Sequence, residues 1–413
     1  MPPYQTSISQ HYYVNVRPLS AITDGSPVEF LISNGGSDYI DLRRTRLHVK
    51  LRVTHDDGSV LTDKEHIGPV NLFMQSLWSQ VAVYLQGQLV SSNNGGYPYK
   101  AVIQTLLGYG AEAKCSQLQS QLFYKDTGET AADLDSTNPL GGGNDGLFNR
   151  AQFIAGSKTL TMSGPLLEDV FKLNRHFVNG VDVSIKLFRS SPQFTLMSGA
   201  SDKEYKIELQ DVYLKVCKLR MNNALVLAHA KQFETANALY PYMKTSIRQA
   251  SISASQMGYT FDNLFLDHCP TRVVVGFVSG EGVSGSYAQN PFNFQGSIIK
   301  TVELYLDGVS VPGGSVEADD IEAFVNLFEG ANTWREDRGN HIERTEFQIG
   351  NALFVFNLEP LSIDDSYLNF IKSGNLRLEV QFKTALTKTL NAIVLSQSLA
   401  LLEVDQTRNV FIK

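Results

Sequence analysis

Apolar and polar residues alternate with a period of two over many short stretches of the chain. In the clearest stretch, from Ile40 to Thr54, the apolar positions are Leu47, Val49, Leu51 and Val53. Residues two apart share one face of a strand, so this spacing gives the strand one buried and one wet face. Similar stretches recur between turn residues roughly every ten positions, which predicts an all-β chain of short strands.

A unit between Trp78 and Gly110 combines strand and helix periods. The strand pattern of Val81, Val83 and Leu85 runs into a turn at Gln86-Gly87. After a glycine-rich loop, one helical face carries Val102, Ile103, Leu106 and Leu107. The unit is predicted to be a strand, a tight turn, a second strand, a loop and a short helix.

Two parts of the chain recur in the same order. Val302 and Gly308 follow Val81 and Gly87 by 302 − 81 = 221 positions, within a similar apolar pattern. The stretch 165–188, predicted as a short helix and a strand, recurs at 360–382 with an offset of 195. The chain is therefore predicted to hold two copies of one domain, the first longer by 221 − 195 = 26 residues.

The predicted organisation is an irregular N-terminal arm (1–27), a first domain (28–220), a linker helix (221–239) and a second domain (240–413). The short strands and frequent turns predict that each domain is a β-sandwich or jelly roll. Long helices do not alternate with the strands, which excludes a parallel α/β fold. Residues 111–156 lack a clear strand or helix pattern, and within them 125–146 have little apolar content and many turn formers. This segment is predicted to be a long exposed loop on the outer surface, and it accounts for the extra residues.

Composition restricts the classes of protein that fit this chain. The 413 residues are 43% hydrophobic with a net charge of −7, which indicates a globular protein and disfavours a nucleic-acid coat. Three widely spaced cysteines, Cys115, Cys217 and Cys269, suggest free thiols in a reducing compartment. No apolar leader and no run of 18 apolar residues is visible, so neither a signal peptide nor a membrane span is expected.

One stretch matches a nucleotide-binding pattern. Gly280 to Gly285 reads G-x-G-x-x-G and follows a predicted strand. A dinucleotide site also needs a helix directly afterwards, whereas here the chain continues without helical periodicity to Pro291. A flexible loop between strands is the favoured interpretation.

The other candidates for chemistry also have structural explanations. The histidines lack H-x-H or H-E-x-x-H spacing, and the adjacent His268 and Cys269 point to opposite faces of a strand. The acidic pairs at 56–57, 319–320 and 364–365 lie at a hairpin and at two helix starts, where turns and caps favour aspartate. Trp78 and Trp334 are expected in a core or an interface. No residue is predicted to be catalytic or to bind a cofactor or metal.

Seven stretches together resemble a known family. They are 39–59 (YIDLRRTRLHVKLRVTHDDGS), 68–92, 97–110, 179–190, 270–294 (PTRVVVGFVSGEGVSGSYAQNPFNF), 304–312 and 374–382. These stretches resemble the major capsid protein of Polinton-type elements and adintoviruses. The resemblance is specific because there are several stretches and they occur in the same order.

The resemblance implies a double jelly roll, with a short helix before the seventh strand of each copy. It implies a homotrimer that forms a pseudo-hexagonal capsomer and tiles an icosahedral capsid around a double-stranded DNA genome. A single-jelly-roll penton or minor capsid protein is the implied partner. The implied locations are the virion shell and, before assembly, the inside of the cell. Catalysis, cofactors, sequence-specific nucleic-acid binding and a transmembrane segment are not expected.

Three alternatives remain at this stage. The chain could be a two-domain carbohydrate-binding module, which needs aromatic or metal sugar sites. It could be a jelly-roll glycosidase or oxygenase, which needs paired carboxylates or a metal centre. It could also be a domesticated, transposon-derived copy of the capsid protein that no longer forms virions.

Overall fold

The computed structural model describes residues 4–91, 95–134, 140, 143–200, 203–265, 269–358 and 373–413. Strands dominate these residues. Those of the first half are β1 (Ile8–Val16), β2 (Val28–Ile32), β3 (Tyr39–His55), β4 (Ile67–Pro69), β5 (Trp78–Leu85), β6 (Gln88–Leu89), β7 (Leu160–Pro165), β8 (Val183–Arg189), β9 (Leu196–Ser198) and β10 (Tyr205–Met221). Those of the second half are β11 (Ala238–Ile252), β12 (Gly258–Phe265), β13 (Arg272–Ser279), β14 (Ile299–Leu306), β15 (Val309–Glu317), β16 (Leu353–Asn357), β17 (Leu376–Phe382), β18 (Leu390–Val404) and β19 (Val410–Ile412).

The helices are short and lie between strands. The α-helices are α1 (Phe73–Ser76), α2 (Tyr97–Gly108), α3 (Ala111–Lys114), α4 (Ala131–Leu134), α5 (Asp145–Ala151), α6 (Pro192–Thr195), α7 (Asn223–Gln232), α8 (Gly280–Ser284), α9 (Ile321–Glu329) and α10 (Arg344–Phe347). The 3₁₀ helices are Gln117–Gln121, Ala155–Ser157 and Asp169–Lys172.

Strand β3 shows how the alternating pattern becomes a core. Its four apolar residues from Leu47 to Val53 are 0% exposed, whereas Arg46 before them and Lys50 between them are exposed. Each buried aliphatic side chain of this kind contributes about 1.5–3 kcal/mol through removal of apolar surface from water. The strand predicted for Ile40 to Thr54 is therefore confirmed, with one face in the core.

The first ten strands form a β-sandwich, called here the first sandwich. One sheet, sheet 1, has the order β1-β10-β3-β7, and the other, sheet 2, has the order β2-β8-β5-β6. Their inward residues share one hydrophobic core. The short strands β4 and β9 pair with each other outside these two sheets.

The remaining strands form a second sandwich with the same strand order. Sheet 3 is β11-β18-β13-β16, with β19 added to β18, and sheet 4 is β12-β17-β14-β15. Without the extra strands β4, β9 and β19, each sandwich has eight strands in two antiparallel sheets, ordered 1-8-3-6 and 2-7-4-5. That order is the jelly roll, so the predicted pair of tandem jelly rolls is confirmed.

The two sandwiches share a hairpin as well as a strand order. Gln86 and Gly87 between β5 and β6 have φ of 48° and 83°, and Asp307 and Gly308 between β14 and β15 have 49° and 84°. Two successive positive φ angles make a turn whose twist matches that of the flanking strands. Gly87 and Gly308 are 221 positions apart, so the sequence repeat corresponds to a repeat of structure.

The second repeat corresponds to the seventh strand of each sandwich. In the first, the 3₁₀ helix Asp169–Lys172 precedes β8, as predicted. In the second, β17 lies at the expected strand position. The helix expected before β17 and the pair Asp364-Asp365 lie outside the described residues.

Two predictions about irregular segments were wrong. The first is the N-terminal arm, which contains β1. This strand pairs with β10 over nearly its whole length, for example Val14 with Val216. It is an edge strand held mainly by backbone hydrogen bonds, and only Ile8, Val14 and Val16 are aliphatic, so its sequence carries little alternation.

The second is the exposed loop predicted for 111–156. The described part contains three α-helices and two 3₁₀ helices, and it buries Leu118, Phe123, Leu147 and Ile154. Its turn-forming residues separate and cap very short helices; Asn144, for example, accepts a hydrogen bond from the Leu147 N–H of α5. Apolar residues that are few and widely spaced were sufficient to fold the segment onto the rest of the molecule.

Two predicted helices are present with small differences. Helix α7 lies between the sandwiches and is capped by Asn222. Helix α9 is capped by Asp320 and ends at Gly330. The sequence predicts Ile321, Phe324, Val325 and Phe328 on the inner face of this helix. That prediction was partly wrong, because the fully buried residues of α9 are Ala323 and Leu327, and Ile321 is 40% exposed.

Two neighbouring residues of strand β2 allow a matched test of how much core burial contributes to stability. Ile32 is 1% exposed in the core and its neighbour Leu31 is 41% exposed on the opposite face. We expect Ile32→Ala to lower the free energy of unfolding by about 2–5 kcal/mol. Leu31→Ala should change it by no more than about 0.5 kcal/mol. Urea unfolding of both variants measures this, and equal losses would contradict the assigned register.

Candidate functional site: the domain junction

The G-x-G-x-x-G stretch is a helical turn rather than the predicted flexible loop. Residues Gly280–Ser284 form α8, and Gly285 ends it with a φ of 98°. Gly280 packs so closely on Thr389 that an added Cβ would lie 3.0 Å from its methyl group. The glycines thus allow a tight connection after β13.

The histidines and acidic pairs are dispersed over the described residues. His48 stacks on Tyr213 with ring centroids 4.5 Å apart, and His229 shares a 2.7 Å hydrogen bond with Tyr39. Asp57 accepts the Ser59 N–H in the β3 hairpin turn. Within the described part of the chain, no group of three or more His, Cys, Asp or Glu residues could hold a metal ion. His268 lies outside that part.

The tryptophans and the cysteines do not form a common site among the described residues either. Trp78 is fully buried in the first core, whereas Trp334 is 55% exposed with its ring 6.2 Å from Phe328. The three cysteines are free, and only Cys217 is buried. Among the described residues no helix is long and apolar enough to cross a membrane.

Unusual chemistry is concentrated instead where the two sandwiches meet. Lys100 of α2 is almost completely buried, and its Nζ lies 2.8 Å from Glu168 Oε2 and 3.1 Å from Asp169 Oδ2. Both carboxylates are also buried. We call these three residues the buried charge cluster.

Burial and attraction compete within this cluster. Burial disfavours the charge on Lys100, but the two carboxylates outweigh it and raise the pKa of the amine above its ordinary value. Burial also raises the pKa of Glu168, and the attraction of Lys100 only partly offsets it. One ammonium faces two carboxylates, so the cluster has one excess negative charge when all three groups are ionised. The raised pKa of Glu168 and the hydrogen bond from the Thr245 N–H to Asp169 reduce the cost of burying that excess.

The cluster joins the first sandwich to the second. The N–H of Thr245, on edge strand β11, donates a 2.7 Å hydrogen bond to Asp169 Oδ2. Gln104, one turn after Lys100 on α2, donates a 3.2 Å bond to the Thr245 hydroxyl. A Cβ added to Gly96 would lie 2.7 Å from Ile247 Cγ2, so a glycine is required at this contact.

A second polar link involves Arg150 of α5, whose side chain is fully buried. Its guanidinium donates to the carbonyls of Pro69 and Tyr124 and to Asp126 Oδ1, at 2.8, 2.5 and 2.6 Å. The other oxygen of Asp126 accepts a 3.2 Å bond from Asn290 of the second half. The segment predicted to be a surface loop therefore helps to join the two halves.

Lys114 of α3 forms a third link without a carboxylate partner. Its buried ammonium donates to the carbonyl oxygens of Leu106, at 2.8 Å, and of Asn340. Burial lowers the pKa of Lys114 to about 7. Partial loss of the charge near neutral pH limits the cost of burying this group.

The junction positions the two sandwiches relative to each other. Its charged side chains are buried and bond to one another or to backbone groups. The sequence reasoning overlooked these residues. A lysine within the apolar helix YPYKAVIQTLLG and the adjacent acids Glu168 and Asp169 were the available signals, but their proximity arises only in the folded chain.

Comparison with known sequences gives one extended similarity. No protein-family model matches the chain. The uncharacterized protein F54H12.2 of Caenorhabditis elegans is 24% identical over 400 residues, which cover 93% of this chain and 92% of that protein.

Comparison with known structures gives strong similarities along the whole chain. A chain of the Sputnik virophage has a TM-score of 0.65 at 12% identity, covering 100% of this chain and 90% of that one. The Faustovirus major capsid protein has a TM-score of 0.61 at 9% identity, with coverages of 97% and 92%. The mavirus major capsid protein has 0.55 at 14% identity, with 97% and 90%. The chain thus has the double jelly-roll fold of these viral proteins.

The buried charge cluster can be tested through its lysine. We expect Lys100→Met to lower the free energy of unfolding by about 3–5 kcal/mol, because it leaves two buried carboxylates without a counter-ion. The exposed Lys64→Met is the control and should change it by less than about 0.5 kcal/mol. Urea unfolding at pH 7 measures both, and equal stabilities would show that the cluster does not contribute.

Lys114 should make stability depend on pH. From about pH 7 to the ordinary lysine pKa near 10.4, the unfolded chain binds more protons at this site than the folded chain. Stability from this group therefore increases as pH rises through that window and is constant below it. Lys114→Met should flatten the profile between pH 7 and 10 and the exposed Lys158→Met should not, as measured by urea midpoints. An unchanged profile in Lys114→Met would contradict the assignment.

Proposed function

We propose that this chain is a structural major capsid protein of the kind found in Polinton-type elements and adintoviruses. Three copies form a pseudo-hexagonal capsomer, and capsomers tile an icosahedral shell around a double-stranded DNA genome. The observation that carries this proposal is the double jelly roll along the whole chain, which the Faustovirus and mavirus major capsid proteins share.

The junction supports this role physically. A shell subunit must keep its shape while neighbours bind on several sides. The links through Asp169, Asp126 and Lys114 join the sandwiches at three places, in addition to a continuous apolar contact. Such a junction makes the two sandwiches one building block instead of two mobile domains.

The proposed partners are other copies of this chain and a single-jelly-roll protein at the five-fold vertices. The protein is made inside the cell and becomes part of the virion shell. It performs no catalysis.

A domesticated copy in an animal genome is the second candidate. The observation in its favour is the nematode protein F54H12.2, which matches along nearly the full length of both chains. Such a copy retains the double jelly roll without forming virions.

Assembly of the purified protein tests the proposal. We expect sedimentation to give a species of about three times 45.7 kDa, and electron microscopy to show hexagonal outlines or closed shells. A monomer at all concentrations and salt conditions would overturn the capsid proposal. A trimer without closed shells, from a chain that animal cells express without particles, would favour the domesticated copy.

A further inference from the structure

We infer that an acidic helix surface on the second sandwich binds a basic sheet face on the first sandwich of a second copy. The acidic helix surface comprises residues 317–334, around α9. The basic sheet face comprises the outward side chains Arg46, His48, Lys50, Arg52 and Lys215 of sheet 1. This inference rests on the proposed capsid function and assigns residues to one contact between subunits.

Within one chain, the first sandwich already covers a sheet of the second. The central strand β13 of sheet 3 is buried at six consecutive positions, Val273 to Val278, so both of its faces are covered. One face packs on sheet 4. The apolar residues of α2 share a single core with this strand, and the ring of Tyr99 lies 5.6 Å from Phe292 of the second half.

The equivalent sheet face of the first sandwich and the equivalent helix of the second are less covered. Sheet 1 of the first sandwich is equivalent to sheet 3 of the second. Its central strand β3, however, buries one face and exposes the other. Helices α2 and α9 occupy the same place, directly after the fifth strand of their sandwich. Ten of the twelve residues of α2 are buried, whereas α9 buries two of nine. Within one chain, α2 packs against the outer side of sheet 3. Among the described residues, α9 and the outer face of sheet 1 do not make the equivalent contact.

The two uncovered surfaces carry an excess of opposite charge, and the two acidic residues of β10 on the sheet face, Glu208 and Asp211, already pair with Arg52 and Arg17. Residues 317–329 include five acidic and no basic residues, and residues 43–52 include five basic and no acidic residues. The asymmetry extends to the halves of the chain: residues 1–221 have a net charge of 21 − 21 = 0, and residues 222–413 have 14 − 21 = −7. Complementary potentials of this kind orient two proteins and select their contact.

Many of these charges have no ion-pair partner within the described chain. On the sheet face, Arg46 and Lys215 lie near the ring of Tyr13, at 6.0 and 5.2 Å, and neither they nor Lys50 form an ion pair with a described residue. On the helix surface, Glu322 and Glu329 have none in the same part of the chain. These charges are available for a second molecule.

Aromatic residues accompany the charges on both sides. Trp334, just after α9, is more than half exposed, and Tyr13 beside Lys215 is also exposed. Tryptophan, tyrosine and arginine dominate the binding energy of protein interfaces. An exposed tryptophan next to an acidic helix therefore suits a partner that presents arginine and tyrosine.

These features favour a second copy of this chain over a nucleic acid. Both halves of the contact occur on the same molecule but on different sandwiches, so copies join head to tail, and such a contact gives a ring where the rotation between copies closes. The net charge of −7 repels a polyanion as a whole. In a ring of three chains, the contact between copies then repeats the contact between sandwiches within one chain.

Charge reversal tests the contact. We expect Arg46→Glu with Lys50→Glu, or Glu322→Lys with Glu329→Lys, to raise the dissociation constant of the assembly by at least about tenfold, through juxtaposed like charges. A chain with all four substitutions should assemble again, since attraction is restored with its sign exchanged. Sedimentation at fixed salt measures each constant, and circular dichroism checks that every variant is folded.

The matched control is Lys64→Glu with Lys231→Glu, which changes the net charge by the same amount at exposed sites elsewhere. It should assemble like the wild type. The contact would be overturned if either reversal pair assembled normally. It would also be overturned if the fourfold variant failed to assemble. Neither result would contradict the capsid proposal. A wild type that is itself monomeric would instead overturn the capsid proposal. If the sheet-face pair assembled normally and lost only retention on double-stranded DNA, the partner would be nucleic acid.

Discussion

The buried charge cluster of Lys100, Glu168 and Asp169 is the constraint on which the rest of the molecule depends. Charges without water must be matched by partners at short distance, and this fixes α2 against the turn before β8. One of those carboxylates also binds the free backbone edge of β11, where the second sandwich begins. The relative position of the two jelly rolls is therefore determined by a few directional bonds as well as by apolar packing.

Much of the fold could be predicted because it is locally encoded. The alternation in β3 and the two-residue turns ending at Gly87 and Gly308 each act over a few positions, and the structure contains them where the patterns indicate. The duplication was visible for the same reason, since equivalent strands face equivalent cores. The short edge strand β1 was missed because backbone hydrogen bonds to β10 hold it, and these leave little trace in composition.

The junction could not be predicted because it is encoded by residues distant in sequence. Lys100 meets Glu168 across 68 positions, and Asp169 meets Thr245 across 76. The segment 111–156 was predicted to be an exposed loop, yet Arg150 and Asp126 make it a bridge between the halves. Single-residue propensities carry no information about such pairs, so the pattern of local elements was clearer than the arrangement of the two sandwiches.

Burial of sheet 3 on both faces has a consequence for how the chain is made. The apolar outer side of β13 needs the helices of the first sandwich as its cover, whereas sheet 1 has a wet outer face and needs none. The amino-terminal half leaves the ribosome first, so α2 is already synthesised when the later half emerges and condenses on its apolar residues. A chain begun after α7 would lack that cover and would expose the apolar outer side of β13 to water.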